Sequence, residues 1–259
     1  MTVDDASGTG TPVPALVFLH GTTGEGLTHF GLLADRFTDR RRVVLADYAG
    51  SGTSQLPDGP FTLDQLVDEV VGIVQGAADG ADDPQPVDLV GYSLGAVVAA
   101  AVAAEHPELV RRLVLIAGWP TSDDPRHRLV FDIWARLWET DPELCGRYTL
   151  AMAFSPSFLH AIGHEGITQL AAGKLPDATG RQIDLGLRID ITDRLARITA
   201  PTLVVGCTRD TLVPIEHSRA LHAGIPASSY TEIDTAHGVM FENADALTTA
   251  LRTFLFDEP

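Results

Sequence analysis

The sequence is short of the residues on which several large classes of protein depend. Its two cysteines, Cys145 and Cys207, are too few for a disulfide framework or a cysteine zinc site. Lys174 is its one lysine, so Schiff-base chemistry has a single candidate, placed in the Gly- and Pro-flanked stretch AAGKLPD of a solvated loop. No apolar run reaches membrane-spanning length; the longest weakly polar stretch, Leu94 to Ala104, stops at Glu105-His106-Pro107. The amino terminus is acidic and lacks an apolar core, so no secretory signal is expected and a reducing cytoplasm is the expected setting. Basic residues are scarce against acidic ones, 18 to 35, and the formal charge of -17 argues against a nucleic-acid backbone or an anionic membrane as partner.

Cofactor motifs are missing as well. The glycines between Gly21 and Gly26 form neither a G-K-[ST] loop nor a G-x-G-x-x-G turn, so no nucleotide cofactor is expected. His160 and His164 stand four apart and precede Glu165, a spacing at which a helix could turn two ligands to one metal. No second cluster completes the coordination, and a polar surface with no metal is the expectation. The oligomeric state is left open, a homodimer included.

What remains is an ordinary globular composition, 45% hydrophobic and 20% charged over 259 residues, enough for one domain or for a core with an insertion. The first dozen residues carry no apolar pattern. Beyond them, short runs recur at Ala15–His20, Arg42–Asp47, Val87–Tyr92, Leu113–Ala117, Thr202–Gly206 and Ser229–Ile233. Runs apolar on both faces suit strands of a parallel sheet covered by helices on both sides. Between them lie helical stretches. One opens on the capping box Thr62-Leu63-Asp64-Gln65, one at Ser93, one after Pro214, and the last covers about Asn243 to Phe256. The alternation predicts an α/β fold with a mostly parallel, doubly wound sheet. It breaks once, from Trp119 to about Arg197, where no strand pattern occurs and all three tryptophans, Trp119, Trp134 and Trp138, are gathered. That stretch is expected to be a helical cap, residues 119–197, inserted into a core of residues 1–118 and 198–259.

The chemistry centres on Gly91-Tyr92-Ser93-Leu94-Gly95, a G-x-S-x-G pattern between an expected strand and an expected helix. A nucleophile on so sharp a turn needs neighbours without bulk, and a helix starting there aims amide groups at the reacting centre. A serine here also suits a plain helix N-cap. What favours catalysis is the company it keeps. A serine hydroxyl needs a general base, and the base needs a carboxylate to fix its tautomer. Asp210 follows the strand at Thr202–Gly206, and His237 follows the strand at Ser229–Ile233. All three therefore lie at carboxyl ends of strands, where open α/β sheets build their sites.

These motifs resemble the alpha/beta-hydrolase superfamily over nearly the whole chain. His20-Gly21-Thr22-Thr23-Gly24 is similar to its oxyanion loop, and Asp47-Tyr48-Ala49-Gly50-Ser51-Gly52-Thr53-Ser54 to its D-x-x-G-x-G-x-S turn. The resemblance implies a triad of Ser93, Asp210 and His237, with the backbone N–H groups of Thr22 and Leu94 as oxyanion hole. It implies structural roles for His20, Asp47 and Ser54. The family's hairpin ahead of the first strand has only about fourteen residues to occupy here, and some relatives carry the acid near Asp123 or Asp124. The expected activity is acyl-enzyme hydrolysis of an ester or thioester of an apolar or aromatic small molecule. Tyr92, Trp119, Trp134 and Trp138 are candidate pocket residues. The same triad also serves cyclases, acyltransferases, carbon–carbon bond hydrolases, cofactor-free perhydrolases and slow-turnover receptors.

Overall fold

The recurring apolar runs become six parallel strands, β1 Leu16–Leu19, β2 Val43–Ala46, β3 Val87–Tyr92, β4 Val110–Ile116, β5 Thr202–Cys207 and β6 Ser228–Ile233. A computed structural model describes residues 13–78, 85–226 and 228–256. The stretch in which the family's hairpin would lie falls mostly outside these residues. The sheet order is β2-β1-β3-β4-β5-β6, so the winding direction reverses between β1 and β3. An open parallel sheet leaves a crevice beyond the carboxyl ends of its strands at such a reversal, and the site sits there.

Alternate residues of each strand serve opposite faces. Val17, Leu19, Leu89, Leu113, Leu115 and Val204 join the core on one side, with α2 (Leu63–Ala78) and α3 (Leu94–Glu105). Leu16, Phe18, Val90, Val114, Ile116 and Val205 join the other, with α1 (Gly26–Ala34) and the last helix (Ala244–Phe256). The last helix buries Leu247, Leu251 and Leu255, one stripe at four-residue spacing, each contributing about 2 kcal/mol of apolar burial. The capping box expected at the start of α2 is present. Gln65 N–H donates to Thr62 Oγ1 at 3.2 Å, and Thr62 N–H donates to Gln65 Oε1 at 3.0 Å.

Helix α3 is buried from Leu94 through Ala104, and most of those positions are alanine or valine. Small side chains on every face let it lie close to β3 and β4 while α2 covers it from outside. Between β4 and β5 the chain forms α4 (Pro125–Thr140), α5 (Pro142–Ala153), α6 (Pro156–Ala171), α7 (Thr179–Gly186) and α8 (Thr192–Leu195). Three of these begin on a cap residue followed by proline, with Asp124, Asp141 and Ser155 accepting from His127, Leu144 and Phe158 N–H respectively. In α6 the backbone turns left-handed at Gly163 (φ 65°), which interrupts the helix between His160 and His164. The two imidazoles therefore lack the one-turn relation a helical metal pair requires. Among the described residues no group of three His, Cys, Asp or Glu could hold a metal, and no helix is long and apolar enough to cross a membrane.

Candidate active site

Ser93 occupies the β3–α3 junction at φ 56° and ψ -119°, a conformation that costs a non-glycine residue about 1–3 kcal/mol. Its surroundings hold it there. Ser93 N–H donates to Ile116 O at 2.8 Å, and the flanking glycines leave no room for anything larger. A Cβ on Gly91 would stand 2.2 Å from Gly95 O, and one on Gly95 would stand 2.2 Å from Leu19 O. Neither obstacle is a side chain that could swing away. The G-x-S-x-G spacing is thus the spacing at which strand, turn and neighbouring backbone can coexist.

Asp210 lies in the turn after β5. Its Oδ1 accepts from Leu212 N–H at 2.9 Å and Val213 N–H at 2.8 Å, which fixes the carboxylate and leaves Oδ2 for His237. His237 Nδ1 is 2.6 Å from Asp210 Oδ2, and Nε2 is 3.0 Å from Ser93 Oγ. A proton on Nδ1, shared with the carboxylate, leaves Nε2 free to accept from the serine hydroxyl. All three groups are buried, with 6%, 8% and 3% exposure for Ser93, Asp210 and His237, so little solvent competes for these bonds. Among the ties on the loop carrying His237, Tyr92 OH donates to His237 O at 3.2 Å, and Gly238 N–H donates to Ala153 O at the end of α5.

The other carboxylates near the end of β4 are occupied elsewhere. Asp123 faces Arg128 at 3.5 Å on the surface, and Asp124 caps α4. Thr22, on the loop after β1, lines the same cavity as Ser93 and His237. Leu94 is the first residue of α3, so its N–H has no acceptor within the helix. Thr23, beside Thr22, is left-handed (φ 69°), and its N–H donates to Gln182 Oε1 at 3.3 Å. Gln182, fully buried on α7, also donates from Nε2 to Ser51 Oγ at 3.1 Å. His20 stacks on Tyr48 at 4.0 Å, and burial lowers its pKa to about 4, as befits a framework residue. Asp47 accepts from Gly26 N–H at 2.7 Å and shapes the turn that Ser54 closes.

A cavity of about 390 Å³ opens above Ser93 and His237. Its walls are Trp134, Leu150, Phe154, Leu170, Leu212 and Phe241, with Thr22, Thr23, Thr28 and His29 on the side of the loop after β1 and Thr149 and Lys174 on the side of the helical segment. Of the four pocket candidates, Tyr92 and Trp134 line it. Trp119 does not: it is fully buried in the core, its ring 5.2 Å from His127 and 5.6 Å from Phe131. Trp138 faces a second cavity of about 570 Å³, against Gly180, rather than the one at Ser93. Aromatic enrichment in a helical segment does not separate core from pocket, which is why two of the three tryptophans differ from expectation. The residues that sequence reasoning missed, His29, Phe154, Leu212 and Phe241 among them, carry no local pattern except that Phe241 and Leu212 follow His237 and Asp210 closely.

The sequence pattern of the alpha/beta hydrolase family matches residues 16–250, and the chain belongs to that family. The pyrrolizixenacetamide deacetylase of Xenorhabdus hominickii is 35% identical over 249 residues, 95% of this chain and 92% of that protein. The enol-lactonase from Burkholderia xenovorans LB400 has a TM-score of 0.82 at 22% identity, over 95% of this chain and 93% of its own. A thermophilic esterase from Thermogutta terrifontis has a TM-score of 0.79 at 25% identity, over 95% and 90%. This chain is accordingly an enzyme of the alpha/beta hydrolase family, whose relatives cleave amide- and ester-type bonds.

Proposed function

We propose that the protein is a serine hydrolase that removes a small acyl group from an amide or ester of a largely apolar molecule by way of an acyl-enzyme on Ser93. The observation that carries this reading is the hydrogen-bonded chain Asp210–His237–Ser93, at 2.6 and 3.0 Å, opening into an apolar cavity. In the first half-reaction Ser93 Oγ attacks the carbonyl carbon as His237 Nε2 takes its proton. Asp210 stabilises the imidazolium, and the Thr22 and Leu94 N–H groups receive the oxyanion, each contributing about 3 kcal/mol of barrier lowering. Collapse breaks the bond to the leaving amine or alcohol, which takes the proton from His237. Water then attacks the acyl-enzyme with the same histidine as base, releasing the acid and restoring Ser93.

Amides join esters and thioesters as substrates because the 35% identical relative is a deacetylase, whereas the 25% identical neighbour is an esterase. The segment 119–197 serves as the cap, since Trp134, Leu150 and Phe154 of that segment form the apolar wall. Incubation with a fluorophosphonate should place an adduct on Ser93, found by mass spectrometry and absent from Ser93→Ala. A protein that stays unmodified, or a Ser93→Ala variant that labels equally, would remove the nucleophile. A chain-length series of p-nitrophenyl esters, thioesters and N-acyl anilides should show the highest kcat/KM for short acyl groups. Flat rates near background would instead favour a binding role for the same fold.

A further inference from the structure

One polar side chain of the catalytic cavity has a role that the triad does not explain. His29, on α1, lines the cavity together with Ser93 and His237. The Gly21 N–H donates to its Nδ1 at 3.1 Å. That nitrogen therefore carries no proton, and the neutral ring holds its hydrogen on Nε2. The ring is also confined. A Cβ on Gly24 would come within 2.4 Å of it, and Tyr92 meets it at 5.2 Å with the rings nearly perpendicular. Several other polar groups lining the cavity are engaged within the protein: Thr28 Oγ1 donates to Glu25 O, Thr149 Oγ1 to Cys145 O, Tyr92 OH to His237 O, and Lys174 Nζ to Asp177 Oδ1. Among the described residues, His29 Nε2 meets no acceptor.

We propose that His29 is a specificity-determining residue whose Nε2–H, held in one tautomer and one orientation, donates to an acceptor oxygen of the substrate other than the scissile carbonyl. This inference rests on the serine-hydrolase reading above. Burial, with His20 and His237 nearby, holds the imidazole pKa down to about 3, so the donor stays uncharged at neutral pH. An uncharged donor fits an ether or carbonyl oxygen better than a carboxylate, and Lys174, the cation on the cavity wall, is already paired with Asp177 at 3.1 Å. The ligand chemistry is thus a neutral acyl compound with a second oxygen close to the reacting carbonyl.

The test uses two matched pairs that differ by one oxygen in place of a methylene. On the acyl side these are p-nitrophenyl methoxyacetate and butyrate; on the alcohol side, 2-ethoxyethyl acetate and pentyl acetate. The oxygen-to-methylene ratio of kcat/KM is measured for the wild type and for His29→Asn, which keeps an acceptor for Gly21 N–H but cannot extend the donor. Dividing the two ratios cancels intrinsic reactivity. The wild type should exceed the variant about fivefold to tenfold for one pair, and His29→Gln should recover part of it. His29→Phe supplies the same comparison should the asparagine variant fail to fold. A structural role would slow all four substrates alike, and divided ratios near one in both pairs, with fluorophosphonate labelling of Ser93 intact, would overturn this proposal alone. A wild-type protein that does not label at Ser93 overturns the hydrolase reading and this proposal with it.

Discussion

Replacing Gln182 with leucine tests whether α7 holds in place the loop after β1, the proposed oxyanion loop. The side chain accepts from Thr23 N–H and donates to Ser51 Oγ, and it is fully buried. Leucine fills most of the volume but leaves both partners unpaired, at about 1–3 kcal/mol for each. It also releases Thr23, whose left-handed backbone stores about 1–3 kcal/mol that the Gln182 bond helps restrain. A relaxed Thr23 would turn the preceding Thr22 N–H away from the oxyanion. Full loss of one such donor costs about 10²–10³ in kcat, so partial misalignment should cost about tenfold to a hundredfold. Steady-state kinetics on p-nitrophenyl acetate should show that fall in kcat with KM within about twofold, because the ground-state carbonyl uses the donors less. The melting temperature should drop by about 5–10 °C. Gln182→Glu keeps an acceptor for Thr23 N–H and should retain more of kcat than the leucine variant. A folded Gln182→Leu protein with wild-type kcat would refute the reasoning, as would equal losses in both variants.

Three further outcomes follow from the geometry. Asp210→Asn should lower kcat by about 10³–10⁴ because His237 loses the partner that fixes its tautomer, whereas Asp123→Asn should stay within about twofold; kinetics that reverse this order would move the acid to Asp123. Gly95→Ala should destabilise the protein by several kcal/mol, roughly the scale of a severe core overpacking, since its Cβ meets the Leu19 and His20 carbonyls. Gly72→Ala in α2, with nothing within 4 Å, should instead stabilise it by up to about 1 kcal/mol, and denaturant titration of the two variants compares them directly. His127 is buried, with its pKa lowered from 6.5 to about 4, so the unfolded chain takes up a proton that the folded chain refuses. Its stabilising contribution is therefore complete above pH 6.5 and declines as pH falls toward 4, by on the order of 3 kcal/mol. Unfolding curves of wild type and His127→Gln should converge across that window; parallel pH dependences would contradict the assignment.

The core strands were legible because their apolar runs are bounded by turn residues, and the agreement at β3 and β5 is within a residue. Strand β4 starts at Val110 rather than Leu113. Arg111 and Arg112 hide its first half from an apolar-run reading, yet Arg111 pairs with the buried Asp88, and Arg112 donates to Phe254 O. The segment from 119 to 197 was legible as helical but not in its parts. Pro142 and Pro156 are first residues of helices, and the pairs Asp141-Pro142 and Ser155-Pro156 were the usable signal. Gly146 and Gly166 lie within helices, whereas Gly163 breaks one; composition alone assigns all three the same meaning. Ser93, Asp210 and His237 were visible because each follows a strand. Gln182 and His29 were not, because their importance lies in partners 159 and 8 residues away, which no local spacing encodes.

The ties from Gln182 to Thr23 and from Ala153 O to Gly238 N–H bear on how this enzyme could be re-engineered. Both cross from the helical segment into loops beside Ser93 and His237. Grafting a relative's helices between β4 and β5 to borrow its substrate range would therefore sever two joints beside the site while leaving Ser93, Asp210 and His237 in the gene. A chimera that carries a glutamine at the first joint and an aligned carbonyl at the second should keep its turnover. One chosen only for its pocket lining should fold, bind and react slowly.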